Sequence, residues 1–121
     1  MRIHSVTLLN YRGIEERKVE FGLTGVTVIE GPNEVGKSSL AEAINLIFEY
    51  PDSTKIKKVS SVKTVGRDAG PEIEVEVEIG PYRLVYRKRF LKKAETVLTI
   101  TQPRLENLTG REAHDRVQEI F

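Results

Sequence analysis

Residues 31–38 read GPNEVGKS and match the pattern Gly-x-x-x-x-Gly-Lys-Ser/Thr. The two glycines allow the backbone to curl so that successive N–H groups point at phosphate oxygens. The ammonium group of Lys37 would reach the β- and γ-phosphates, and the hydroxyl of Ser38 would ligate Mg²⁺. The motif therefore predicts a site for Mg²⁺ and a nucleoside triphosphate. The alternative interpretation is a plain glycine-rich turn between a strand and a helix.

The elements on either side of the motif favour the phosphate site. Residues 25–30 (GVTVIE) form a short β-branched run that is typical of a buried strand. From Lys37 the period becomes helical, and one apolar stripe follows: Leu40, Ala43, Ile44, Ile47 and Phe48. Pro51 ends this helix. The helix start adds its partial positive charge to the loop.

The rest of the chain predicts an α/β fold, a P-loop lobe in which a mixed and antiparallel sheet packs on the helix after Lys37. Strands are expected at 2–9 and 16–21 with a turn at 10–13, and a hairpin follows at 72–79 and 82–87. A further strand is expected at 97–101. A terminal helix begins at Thr109, where Thr109 and Glu112 have capping-box spacing.

The net charge is +1, so no global field draws the chain to nucleic acid or membrane. Locally, residues 71–81 carry four acids and no base, and residues 82–93 carry six bases and no acid. A basic strand with interleaved aromatic residues could contact a DNA backbone through Arg87, Lys88 and Arg89. The alternative is a row of cross-strand ion pairs with the glutamates of the preceding strand.

The sequence has no cysteine, which excludes disulfides, thiolate metal sites and a cysteine nucleophile. Its longest apolar run is far shorter than the ~20 residues that span a bilayer. We therefore expect a cytoplasmic protein, which could associate with the nucleoid, and no membrane partner.

Several segments together resemble the N-terminal lobe of an SMC/RecF/RecN-type ATPase head. MRIHSVTLLNYRGI resembles the opening strand and the Asn-aromatic-Arg turn of this group, and GPNEVGKSSLAEAINLIF resembles its phosphate loop and helix. EIEVEVEIGPYRLVYRKRF resembles its antiparallel hairpin. LTGREAHDRVQEIF resembles the helix that precedes the glutamine loop. The likeness covers essentially all 121 residues, which we expect to form one lobe of a longer head.

The resemblance implies ATP and Mg²⁺ as cofactors, with Ser38 as the metal ligand. It implies that Arg12 contacts the nucleotide phosphates from its turn. It also implies the following nucleotide-binding residues: Asn33, Glu34, Val35, Gly36, Lys37, Ser38 and Ser39. The implied partners are a C-terminal ATPase lobe on the same or another chain, a second head in a homodimer, DNA, and a nuclease subunit.

The sequence departs from this group by what it lacks. No run of four apolar residues is followed by Asp-Glu, so a Walker B strand with its general base is missing. No glutamine loop follows the hairpin, and no heptad coiled coil is present. We therefore expect part of an ATPase that does not hydrolyse ATP alone. The alternative is a DNA- or protein-interaction module that binds nucleotide without an ATPase cycle.

Overall fold

The computed structural model describes residues 2–21, 34–54, 56–63, 66 and 69–121. The strand predicted at 25–30 and residues 31–33 of the phosphate loop, which include Asn33, lie outside these residues. The described strands are β1 (Arg2–Tyr11), β2 (Ile14–Glu20), β3 (Glu72–Ile79), β4 (Tyr82–Arg89), β5 (Glu95–Gln102) and β6 (Glu106–Thr109). The described helices are α1 (Glu34–Glu49), α2 (Lys57–Ser60) and α3 (Gly110–Ile120).

The described strands form one sheet in the order β2-β1-β3-β4-β5-β6, and each strand of this sheet pairs with its neighbours in the antiparallel direction. The hairpin of β3 and β4 runs in register from Glu72 opposite Arg89 to Ile79 opposite Tyr82. Strict alternation in β3 buries its apolar side chains on one face, as a period of two requires. The antiparallel part of the fold prediction is confirmed, whereas the mixed part depends on residues 25–30.

Helices α1 and α3 pack on the same face of the sheet. The inward face of β4 contacts both helices, because Lys88 on that face bonds to a carbonyl of α1 and to His114 of α3. The hydrophobic core lies between the helices and the sheet, where its side chains lose nearly all contact with water. Its largest fully buried apolar members are Tyr11, Tyr86, Phe90, Leu8, Leu46, Ile47, Ile73, Leu84, Leu98 and Ile100.

The structure differs from the expected elements at several points. Helix α1 begins at Glu34 rather than Lys37, so the last residues of the phosphate motif belong to its first turns. The short strand β6 and helix α2 were not predicted. The prediction of a capping box at Thr109 was wrong, because the Thr109 side chain makes no cap hydrogen bond. Gly110, with a φ of 62°, turns the chain sharply between β6 and α3 instead.

None of the helices in the part of the chain that the structure describes has the length and apolarity needed to cross a membrane.

Candidate nucleotide site

The turn between β1 and β2 places Arg12 beside helix α1. Tyr11 pairs with Ile14, which leaves Arg12 and Gly13 as a two-residue loop. Both loop residues have positive φ, 47° for Arg12 and 83° for Gly13, which is the requirement of a type I′ turn. Gly13 adopts this conformation easily, whereas an arginine in the left-handed region costs roughly 1 kcal/mol or more. Other contacts must therefore hold Arg12 in place.

The backbone of the turn is anchored to the segment after helix α2. The N–H of Arg12 donates to the carbonyl oxygen of Val62 at 2.8 Å, and Tyr11 forms an isolated β-bridge with Lys63. Val62 itself is fully buried. This segment fixes the position of the turn from the side, which compensates for part of the strain at Arg12.

The guanidinium of Arg12 forms a bidentate ion pair with Glu42 of helix α1. Its Nε donates to Glu42 Oε1 at 2.8 Å and its Nη2 donates to Glu42 Oε2 at 2.8 Å. Bidentate pairs of this kind are stronger and more directional than a single ionic contact. The Arg12 side chain is 43% exposed and that of Glu42 24% exposed, so the pair lies at an accessible surface. Hydrogen bonding to Glu42 raises the pKa of Arg12 further above its ordinary value.

Tyr11 reinforces the same carboxylate from the buried side. Its hydroxyl donates to Glu42 Oε1 at 2.6 Å while its ring is fully buried in the core. Burial, and secondly the hydrogen bond to Glu42, raise the pKa of Tyr11 well above its usual range. The phenol therefore remains a hydrogen-bond donor throughout the physiological pH range. Tyr11, the last residue of β1, and Arg12, the first residue of the turn, thus bind the two oxygens of one helix carboxylate.

The position of Glu42 links this cluster to the phosphate motif. Glu42 lies four residues after Ser38 in helix α1, and residues four apart lie on the same face of a helix one turn apart. Arg12 is therefore held on the face of α1 that also contains Ser38, about 6 Å further along the helix axis. The turn thus contacts the same helix whose first turns contain the end of the phosphate motif.

The structure tests the individual motif residues only in part. Asn33 lies outside the described residues. For Glu34, Val35, Gly36, Lys37, Ser38 and Ser39 the structure describes the helical backbone and not the side chains. Their roles toward nucleotide and Mg²⁺ stay predictions.

Sequence reasoning missed Glu42 and Tyr11 as members of the site. Glu42 is one of three glutamates on helix α1, with Glu34 and Glu49, and nothing in their spacing distinguishes it. The available signal was the turn arginine itself. A buried tyrosine next to an exposed arginine needs a polar partner for each, and the helix after the phosphate motif is the element that brings one.

The predicted DNA contacts on β4 divide between the two faces of the sheet. Arg89 donates to Glu72 at 3.1 Å and to Glu95 at 3.0 Å, and Arg87 approaches the same Glu95 at 3.4 Å. The cross-strand ion pairs that were the alternative interpretation are therefore present. Arg87 and Arg89 are on the outer face, 37% and 31% exposed.

The prediction that Lys88 contacts DNA does not fit its position. Its side chain has 0% exposure, because position 88 falls on the same face of β4 as Leu84 and Tyr86. Burial, opposed in part by the charge of Asp52, lowers the pKa of Lys88 to about 7. The strand alternation was the signal that should have separated Lys88 from its two arginine neighbours.

Comparison with known proteins finds relatives that align over the whole of this chain. The chain is 52% identical over 121 residues to an uncharacterized protein of Mycobacterium tuberculosis, an alignment that covers 100% of this chain and 14% of that protein. It is 28% identical over 121 residues to the DNA double-strand break repair Rad50 ATPase of Methanococcus maripaludis, with 100% of this chain and 12% of the relative covered.

A third relative aligns over a shorter stretch. The DNA replication and repair protein RecF of Magnetococcus marinus is 45% identical over 85 residues, which are 61% of this chain and 22% of that protein. The chain thus spans a small part of the length of each of these relatives.

The family described as the AAA ATPase domain matches residues 1–113. This match includes the turn of Arg12, the phosphate motif, helix α1 with Glu42 and the strands of the sheet. The chain therefore belongs to the AAA ATPase domain family.

Proposed function

We propose that this chain is the nucleotide-binding lobe of an ATPase that acts on DNA in repair or chromosome maintenance. It binds ATP and Mg²⁺ through the segment 31–39. The observation that carries the proposal is the bidentate pair of Arg12 with Glu42, on the helix that begins inside the phosphate motif. Membership of the AAA ATPase domain family and the likeness to Rad50 and RecF proteins support it.

The residue types at the start of helix α1 fit a magnesium nucleotide. The first N–H groups of a helix have no partner within the helix and carry partial positive charge, so they favour phosphate oxygens. Lys37 would neutralise the triphosphate, and the Ser38 hydroxyl would ligate Mg²⁺. Asn33, Gly36 and Ser39 complete the lining in this proposal. Bound Mg-ATP would supply the phosphoryl group for transfer.

Arg12 would add a second positive charge from the turn between β1 and β2. Its pair with Glu42 uses Nε and one N–H of Nη2, and a guanidinium has further N–H groups with which to meet a phosphate. Glu42 holds the plane of the guanidinium before any ligand arrives. Preorganisation of this kind lowers the entropy that binding must remove.

Hydrolysis would need groups from outside this lobe. Phosphoryl transfer needs an oriented water and further neutralisation of the transferring charge. We propose that a C-terminal lobe, on the same or another chain, supplies these groups when two heads pair around the nucleotide. In this proposal, closure of the two heads changes how they bind DNA. A nuclease subunit is a further partner.

The test is calorimetric titration with Mg-ATP of the wild-type chain and of Lys37→Ala. Losing a charge-assisted contact costs roughly 1.5–3 kcal/mol, which is about 10- to 100-fold in affinity. Lys93→Ala is the matched control, since Lys93 is an exposed lysine in the loop after β4. Equal affinity for wild type and Lys37→Ala would exclude a nucleotide site at the motif.

A further inference from the structure

The C-terminal end of helix α1 is bound by side chains from two other elements. A helix leaves its last carbonyl groups without partners, and α1 has no basic residue in its own last turn to meet them. Lys88 of β4 donates to the carbonyl oxygens of Ile47 and Tyr50, at 2.8 Å each. Gln118 of α3 donates to the carbonyl oxygen of Phe48 at 2.8 Å.

These contacts account for consecutive carbonyls at the helix end. The carbonyl oxygen of Leu46 accepts from the N–H of Tyr50, and those of Ile47 and Phe48 accept from Lys88 and Gln118. The positive charge of an ammonium group is favourable at this negative end of the helix dipole. Helix α1 is therefore capped by tertiary contacts rather than by its own sequence.

The same lysine also contacts helix α3. Lys88 Nζ lies 3.1 Å from His114 Nδ1, so the amino group joins strand β4, the end of α1 and the second turn of α3. Asp52 and the ring of Tyr86 face it as well, the ring centroid at 4.9 Å. An ammonium group has three N–H donors, and two carbonyls and one imidazole nitrogen give it three partners.

An aromatic contact adds to the docking of α3 on α1. The ring of Phe48 lies 4.8 Å from that of Phe121, just beyond the end of α3, and 6.0 Å from that of Tyr86. Aromatic pairs at this separation stabilise the fold beyond the effect of their buried area. Helix α3 and Phe121 therefore contact α1 near the C-terminal end of α1, at the other end of that helix from the phosphate motif.

Helix α1 connects two regions that are far apart in the fold. Its 16 residues extend for about 24 Å, from Glu34 in the motif to the carbonyls held by Lys88. A rigid, packed helix transmits a shift at one end to the other, because tightly packed interiors do not absorb displacement gradually. Lys88 is a residue at which such a shift would pass to α3, besides the direct contacts of Gln118 and Phe121 with Phe48.

We infer that Lys88 is a positioning residue that couples helix α1 to helix α3, so that nucleotide at the start of α1 and the placement of α3 are energetically linked. The inference rests on the proposed function, since it takes the motif to bind nucleotide. Lys88 does not touch the nucleotide. It acts by holding the Ile47 and Tyr50 carbonyls and His114 around one amino group.

The experiment is hydrogen exchange on the full chain, wild type and Lys88→Met, with and without saturating Mg-ATP. In the wild type we expect the nucleotide to slow exchange both in residues 34–40 and in residues 111–120. In Lys88→Met we expect protection of 34–40 to persist and the response of 111–120 to fall about five-fold or more, the size of a typical coupling. Lys93→Met is the matched control and should respond like the wild type.

The outcomes separate the two proposals. Absence of protection at 34–40 in the wild type would overturn the nucleotide site itself. Protection at 34–40 without any wild-type response at 111–120, or with an equal response in Lys88→Met, would overturn the coupling alone. If circular dichroism shows that Lys88→Met does not fold, His114→Ala and Gln118→Ala carry the test, and wild-type responses in both would overturn the coupling.

Discussion

Glu42 binds both Nε and Nη2 of Arg12, at 2.8 Å each, across thirty residues of sequence. This ion pair joins the β1–β2 turn to the helix that starts in the phosphate motif. Because Tyr11 donates to the same carboxylate from the core, Glu42 has one buried and one accessible partner. The carboxylate therefore fixes where a positively charged side chain stands relative to the start of the helix.

The first prediction concerns this pair. We expect Arg12→Ala to weaken Mg-ATP binding by about 10- to 100-fold, since a charge-assisted contact with phosphate is lost. Glu42→Ala should weaken binding to a smaller extent, because Arg12 stays present but loses its fixed orientation. Calorimetric titration of both variants measures the two effects. Affinities equal to the wild type in Arg12→Ala would mean that the arginine is only a structural partner of Glu42.

The second prediction concerns stability at Tyr11. Tyr11→Phe keeps the buried ring and removes the hydroxyl that donates to Glu42. We expect the free energy of unfolding to fall by about 1–2 kcal/mol, as for the loss of a hydrogen bond to a charged group at a partly buried position. Urea denaturation followed by circular dichroism measures the change. Tyr82→Phe, in a half-buried tyrosine on β4, is the comparison. A Tyr11→Phe variant as stable as the wild type would contradict the assigned role of the hydroxyl.

The hairpin of β3 and β4 shows how far the sequence carries the fold. The strict alternation of EIEVEVEI predicts which face of β3 is buried, and the Gly-Pro turn predicts the antiparallel hairpin that the structure has. The alternation is strong because the two strands are adjacent in sequence and only one face of the hairpin is buried in the core, while the other faces solvent. Strand β6 has only four residues and pairs along one edge, so its short sequence has no clear period.

The candidate site was less accessible to sequence reasoning, because its contacts are between distant segments. The turn of Arg12 was expected from its residues, yet Glu42 becomes its partner only through the packing of α1 on the sheet. For Lys88 the sequence interpretation relied too much on the neighbouring residues. Its neighbours Arg87 and Arg89 suggested a basic patch, although the alternation of β4 already placed position 88 on the core face. A lysine there finds partners only because α1 ends beside it.

The third prediction is a pH dependence of stability from Lys88. Burial lowers its pKa to about 7, below the ordinary value of 10.5. Between these two values the unfolded chain binds a proton at this position that the folded chain does not hold. The free energy of unfolding therefore rises as the pH rises from about 7 toward 10, with a slope from this group of up to ~1.4 kcal/mol per pH unit.

Urea titrations at several pH values between 7 and 10 measure this slope. Lys88→Met removes the titrating group and should give a flatter dependence, whereas Lys93→Met should keep the slope of the wild type. The groups that face Lys88 are His114, Asp52 and Tyr86. Burial lowers the pKa of His114 and raises that of Tyr86, so neither group titrates in the folded chain within this window. Parallel curves for wild type and Lys88→Met would contradict the prediction.

The fourth prediction separates the two outward arginines of β4 in DNA binding. Arg89 is held by Glu72 and Glu95, whereas Arg87 has a longer contact of 3.4 Å with Glu95. We expect Arg87→Ala to reduce the slope of log affinity against log salt by about 0.9 on duplex DNA, and Arg89→Ala to leave it unchanged. Fluorescence anisotropy across a salt series measures both slopes. An unchanged slope in Arg87→Ala would leave only the ion-pair role for this strand.

The last prediction is that the 121-residue chain binds ATP without turning it over. The motif supplies Lys37 for charge neutralisation and Ser38 for one Mg²⁺ coordination position, but the sequence has no Walker B Asp-Glu pair and no glutamine loop. Positioning of a general base alone contributes about 10²–10⁴-fold in rate. Activity should appear when the complementary lobe is added, and it should then rise with protein concentration because two heads must pair.

A phosphate-release assay on the purified chain, with Lys37→Ala as control, decides this prediction. Sustained turnover that survives repurification and disappears in Lys37→Ala would mean that a catalytic residue lies within these positions. Glu34 and Glu30 would be the first to replace, since both lie beside the phosphate motif. Glu42 would be a poor candidate, because its two oxygens already bind Arg12 and Tyr11 and are not placed to take a proton from water.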